Sequence, residues 1–208
     1  MAKLPLVLYP DVILKTHCVD ITEIDGDLVT FAQDMAETMY ASHGIGLAAP
    51  QVAQNIRMMT VDVEQTEGDC ALITLVNPII AEAHGRTTYE EGCLSFPGIT
   101  AEIKRRDQIH VVAFDLDGKE LDFEADGLLS ICIQHELDHL NGVTFLDRLN
   151  SVKRKLVVRN YLSLRAEAEE DEREAEREAR LSRAAASTPP EGPAETAEDA
   201  LPDEPTAP

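Results

Sequence analysis

Along residues 27–43 the apolar positions Leu28, Phe31, Ala32, Met35 and Met39 recur at steps of three and four, and Gly44 follows as a stop signal. This spacing predicts an amphipathic helix laid on a core. Residues 57–63, 71–76 and 109–116 are instead dense in side chains that favour strands, and Asp117-Gly118 ahead of 119–123 predicts a hairpin turn. A second helix is expected over 127–141, capped by Asp126 and ended by Gly142. At 100° per residue its Leu128, Ile131, Cys132, His135 and His139 fall on one stripe, so two histidines continue an apolar face.

After Asn150 the pattern is helical again, with Leu156, Leu162 and Leu164 set among basic residues. Residues 166–183 are almost wholly Glu, Ala and Arg, which predicts a solvent-exposed helical extension. Residues 184–208 are rich in Pro, Ala, Glu and Thr, with Leu201 their one large apolar side chain, a composition read as disordered. The elements add up to an α+β fold: antiparallel or mixed sheets around a central helix, with further helices towards both termini. One folded domain is expected over 1–165 and an acidic, helical-to-disordered extension over 166–208.

Charge sharpens this division. Residues 1–150 carry 9 Lys/Arg against 25 Asp/Glu, residues 151–165 carry 5 against none, and residues 166–208 carry 4 against 14, within a net of −21. So acidic a chain repels phosphates, which disfavours specific DNA binding or non-specific nucleic-acid binding by the whole molecule. Lys153, Arg154, Lys155, Arg159 and Arg165 form a basic island that is either the solvated face of a helix or a contact for an anionic partner. Cys18, Cys70, Cys93 and Cys132 make no CxxC pair, and no leader or long apolar run is evident, so a reducing cytoplasm and no membrane are expected.

The second helix carries His135-Glu136-Leu137-Asp138-His139, two imidazoles one turn apart with a carboxylate beside them. This is the pattern of a metal-activated water, although two helical histidines in ordinary packing would look the same. Such a site needs a third protein ligand. In the protease pattern that continues through a Gly to a third His, the ligand position here is Phe145. Upstream, Cys93 in Glu91-Gly92-Cys93-Leu94-Ser95 offers a thiolate in a loop, the alternative being a buried structural thiol. Residues 44–51, Gly-Ile-Gly-Leu-Ala-Ala-Pro-Gln, form a small-residue loop that lets backbone and the Gln51 amide approach a ligand.

In this order and spacing, GIGLAAPQ, EGCLS and QHELDHL resemble the three signature motifs of peptide deformylases, over roughly residues 6–164. The resemblance implies that Cys93, His135 and His139 bind one divalent metal, ferrous iron in cells, with zinc, nickel or cobalt as substitutes in purified protein. It implies that Glu136 takes the proton of the attacking water, and that the Gln51 amide and Leu94 N–H hold the oxyanion with the metal. It places Gly46 on the substrate main chain, Ile45, Leu128, Ile131 and Cys132 around the methionine side chain, and Glu91 with Arg105 as a supporting ion pair, which could also be a surface contact of little energy. The substrate would be the formyl-methionine end of a nascent polypeptide, with the basic island docking on the ribosome. Thr100 stands where some members carry a substrate-contacting arginine. The competing readings are a metalloendopeptidase and a catalytically silent ribosome-binding module.

Overall fold

A computed structural model of the chain describes residues 3–64 and 71–186; Cys70 and the proline-rich stretch after Ala186 lie outside them. The described residues fall into two units divided between Leu164 and Arg165.

In the first unit, helix α1 (Gly26–Ala41) begins where the Asp25 carboxylate accepts the Leu28 N–H at 2.8 Å, and it buries Ala32, Met35 and Met39. Its end departs from expectation, because the left-handed residue is His43 at φ +56° and not Gly44. Gly44 matters by its size: a Cβ there would stand 2.8 Å from Leu94 Cδ1.

Five strands form one antiparallel sheet in the order β1 (Gly46–Ala48), β2 (Met58–Val61), β3 (Ile73–His84), β6 (Gln108–Phe114), β7 (Glu120–Asp126). A separate ribbon pairs β4 (Thr87–Gly92) with β5 (Thr100–Arg105). The expected strands correspond to β2, the first part of β3, β6 and β7. The turn between the last two is closed by Asp115, whose carboxylate accepts the N–H groups of Asp117 and Lys119, with Gly118 at φ +75°. Strand β3 runs on past Pro78 through a register shift between Val76 and Ile79. Proline has no N–H to pair, and Asn77 turns aside at φ +50° to exchange two hydrogen bonds with Ile21.

Helix α2 (Gly127–Leu140) lies against this sheet, placing Cys132, Ile133 and Leu140 in a core with Val61, Leu75, Ile109 and Val111. Asp126 holds the extended N-cap backbone, yet its side chain makes no capping bond, which corrects the sequence reading. Gly142, at φ +68°, ends the helix, and a Cβ there would lie 2.7 Å from the Lys15 carbonyl oxygen. The helix end and the short helical turn Val12–Lys15 meet only because this residue is glycine.

A second core gathers Tyr161, Val157 and Val158 from helix α3 (Ser151–Ala186) with Phe96, Phe145 and Tyr9. The leucines that marked this helix in the sequence are its exposed positions: Leu156, Leu162 and Leu164 all face solvent. In the second unit, Arg165 is half-buried and pairs with Glu169 at 2.9 Å, and the helix is exposed at the described positions after it. No helix among the described residues is long and apolar enough to cross a membrane.

The turn Phe145–Arg148 is fixed by Asp147, which accepts from the N–H and hydroxyl of Thr144 and pairs with Lys15. Burial raises the Asp147 carboxyl, but these donors outweigh it and hold it below its ordinary range. Its stabilisation is therefore present above the unfolded-state pKa and is lost as pH falls through the folded-state value. Asp147→Asn is expected to cost about 1 kcal/mol in urea unfolding at pH 7, and the gap from the parent protein should close as the solution is acidified.

Candidate active site

The site is built where α2, the β4–β5 connection and the segment after α1 converge. His135 and His139 lie one turn apart on α2 with their rings 5.2 Å apart, and Cys93 follows β4. Cys93 Sγ stands 3.2 Å from His139 Nε2, and one donor atom from each of Cys93, His135 and His139 lies within 4.8 Å of the others. Phe145, the position where the protease pattern would place its ligand, is fully buried, with its ring 6.0 Å from that of His135.

Beneath the histidines is a buried charge network. Arg105 donates to both oxygens of Glu91, at 2.6 and 2.9 Å, and to Asp138 at 2.6 Å. The side chains of Arg105 and Glu91 are only 2% and 3% exposed, which rules out the surface-contact alternative. Glu91 is raised by burial, yet the Arg105 and His135 hydrogen bonds bring it below the ordinary carboxylate range. Held ionised, it accepts the His135 Nδ1–H at 2.8 Å and leaves Nε2 as that ring's donor atom. Asp138 is also bonded by Arg148.

Burial alone would lower His135, but Cys93, Glu91 and Glu136 around it push it well above the ordinary imidazole value. The site thus favours positive charge at this point. His139 is driven the other way, by burial and then by His135 and Arg105, so it stays neutral. Glu136 is pushed up to about 7 by burial, with His135 opposing and Glu91 adding to the rise. Its Oε2 is buried without a hydrogen-bond partner among the described residues. A thiol, two imidazoles and an unpartnered carboxylate oxygen, in a pocket that draws positive charge, fit a divalent transition metal and its water.

Cys93, His135 and Glu136 open onto a cleft of about 690 Å³. Ile45, Gly46, Leu128, Ile131 and Cys132 all line it, as the sequence reading expects of a substrate pocket. Residues 44–51 are more ordered than a loop: they form the sheet-edge strand β1 and the helical turn Ala49–Val52. Gln51 is buried there, its Oε1 accepting the Ala48 N–H at 2.8 Å and its Nε2 directed at Cys93 and Ser95. Leu94, next to Cys93, also lines the cleft. Cys132 donates to the Ile45 carbonyl at 3.4 Å, and burial keeps it a thiol.

Residues 3–155 match the family model described as Polypeptide deformylase. The chain belongs to the peptide deformylase family. The peptide deformylase of Hydrogenovibrio crunogenus is 46% identical over 167 residues, spanning 80% of this chain and 98% of that one. That of Thermodesulfovibrio yellowstonii is 44% identical over 161 residues, 77% and 98% of the two chains. Among solved structures, a peptide deformylase from Legionella pneumophila shares 36% identity with a TM-score of 0.75, covering 79% of this chain and 96% of that one. One from Synechococcus elongatus, in complex with actinonin, gives 37% and 0.73 over 77% and 89%. Deformylases are metal-dependent hydrolases, and this one removes the N-formyl group from nascent polypeptides.

Three residues of this deformylase's site have no role in the sequence reading: Ser95, Asp138 and Arg148. Ser95 and Asp138 sit inside the quoted motifs, where their buried contacts are invisible without the fold. Gly46 has a clear spatial signal instead. A Cβ there would lie 2.5 Å from Glu136 Oε1 and 2.7 Å from Cys132 Sγ. Gly46→Ala is expected to push aside the Glu136 carboxyl and the buried Cys132 sulfur, lowering kcat by up to about 10²-fold and stability by about 1–3 kcal/mol; paired kinetics and melting curves check it.

Proposed function

We propose that the deformylase reaction runs at the convergence of Cys93, His135 and His139, with Glu136 as the proton carrier. The observation that carries this reading is the buried Glu136 Oε2, unpartnered among the described residues, beside three converging donors. When bound there, a divalent ion supplies Lewis acidity, lowering the pKa of water and drawing charge from the formyl carbonyl. Glu136 takes the proton of the attacking water as a C–O bond forms at the formyl carbon. It then delivers that proton to the amine nitrogen as the C–N bond breaks, giving formate and a free amino terminus. The Gln51 amide and the Leu94 N–H donate to the oxygen that gains charge. Gly46 bonds the substrate main chain beside β1, while Ile45, Leu128, Ile131 and Cys132 receive the methionine side chain.

Ferrous iron is the cellular metal on this reading by family resemblance and not by ligand type, since one thiolate with two imidazoles suits zinc equally well; oxidation of an iron centre of this kind would inactivate it in air. Catalysis belongs to residues 1–165, in the cytoplasm, and the acidic 166–208 is an appendage to it. The basic island docks at the ribosome. Lys155 and Arg159 line a second groove with Lys15 and Arg154, Lys153 is exposed, and Arg154 and Arg165 are engaged by Asp147 and Glu169, so Lys153, Lys155 and Arg159 carry most of the contact. Reversing all three should weaken ribosome binding and flatten its salt dependence.

The deciding experiment measures formate release from a formyl-Met peptide by anaerobically prepared, iron-loaded protein, with an unformylated peptide as control. Rapid release with internal bonds uncut supports the reading. No release from a protein shown to hold metal overturns it.

A further inference from the structure

Gln51 is locked at one end and steered at the other. Its Oε1 accepts the Ala48 N–H, so the amide cannot turn over without setting two donors against each other. Nε2 then has two hydrogens to place. One acceptor is the hydroxyl of Ser95 at 3.3 Å; the other polar atom in reach, Cys93 Sγ at 3.5 Å, is a weak acceptor that a substrate oxygen can replace. Ser95 is fully buried two residues beyond Cys93 and lines no part of the cleft. It is also anchored independently of the amide: its carbonyl accepts the Tyr9 N–H at 3.1 Å, while the Gln51 carbonyl accepts the Val7 N–H at 2.8 Å. One short segment of backbone, 7–9, therefore stitches Gln51 and Ser95 together from behind.

We propose that Ser95 is a positioning residue, its hydroxyl accepting one amide hydrogen of Gln51 so that the other is aimed at the reacting carbonyl oxygen. A donor aimed in advance is what makes such a group effective, because no reorganisation is needed when charge develops. Without the hydroxyl, the amide keeps its Ala48 bond but loses its lateral guide and leans on the Cys93 sulfur alone. The cost then falls on the chemical step and not on substrate binding, since the donor matters most when the oxygen is charged. This inference rests on the reading of Gln51 as the oxyanion donor, and the test separates the two.

Four proteins are compared as metal-loaded enzymes on a formyl-Met peptide: the parent, Ser95→Ala, Gln51→Ala and the double variant. Ser95→Ala is expected to lower kcat about tenfold with KM within about twofold of the parent, and to change kcat by less than about twofold when Gln51 is already alanine, as coupled residues do. Ser95→Cys, which keeps a weak acceptor, should fall between parent and Ser95→Ala, and it carries the same cycle if Ser95→Ala fails to fold. A readout independent of turnover is the side-chain amide of Gln51 in 15N-labelled protein, whose two hydrogens should change in chemical shift with Ser95→Ala. Equal losses from Ser95→Ala in both backgrounds, or unmoved Gln51 amide resonances, would overturn the positioning role. An unchanged kcat in Gln51→Ala alone would remove the donor reading, and this inference with it.

Discussion

Replacing Glu136 with alanine is expected to lower kcat for formate release by about 10³–10⁴-fold, near the top of the range for general acid–base groups, while metal content stays unchanged. The large effect follows from two proton movements resting on one carboxyl: acceptance from water and delivery to the leaving amine. With no cation beside it, burial raises it to about 7, which brings a carboxyl towards the range that suits both steps at neutral pH. Glu136→Gln should lose as much, because an amide of the same shape cannot take the proton. The pH profile adds a sign. Glu136 must be ionised to accept, so kcat/KM should rise with pH through its pKa, and a divalent cation next to it draws that acid limb below 7. Kinetics with metal analysis on the same samples checks both points; a variant within tenfold of the parent at full metal content would sink the assignment.

The second large effect is on stability. Arg105→Ala leaves Glu91 and Asp138 buried without their shared cation, which is expected to cost about 3–5 kcal/mol in urea unfolding. Arg148→Ala provides the contrast, for although it also pairs with Asp138, its side chain is 49% exposed and its loss should cost no more than about 1 kcal/mol. Arg105→Ala also unfastens Glu91 from below His135, so metal affinity should fall about 10–100-fold, the usual scale for groups that orient a ligand. Similar costs for the two arginines would mean that burial does not set the worth of this network.

Much of the site was legible in the sequence because its chemistry is carried by rare residue types at short, fixed spacing. His135, Glu136 and His139 share one helix, and that helix was readable from its apolar period and from Gly142. Family membership followed from the same three motifs. What the sequence hid was structure whose signal is weak by nature. Strand β1 is three small residues long and reads as a loop. Strand β4 is largely polar and exposed, and β5 alternates over only six residues with Ala101 and Ile103 as its apolar positions, too short a hydrophobic pattern to mark either one. The end of α1 misled because a glycine is the ordinary signal for a left-handed turn, whereas here His43 adopts it and Gly44 is kept small for Leu94. In α3 the leucines drew attention to the wrong face, while Tyr161 and two valines do the packing. The Glu91–Arg105 pair was visible as two residues, but its energy depends on burial, which only the fold decides.

Strand β1 ends the five-stranded sheet, and Gly46 on it faces the cleft. An outer edge of this kind accepts only a partner that arrives extended with its own main-chain groups unpaired. On the proposed reading, a polypeptide whose first residues have already coiled into a helix or joined another sheet has no free edge to offer. The enzyme is then in a race against its own substrates: translation adds about 5–20 residues per second, and each new chain stays processable only until its beginning finds a place in its own fold.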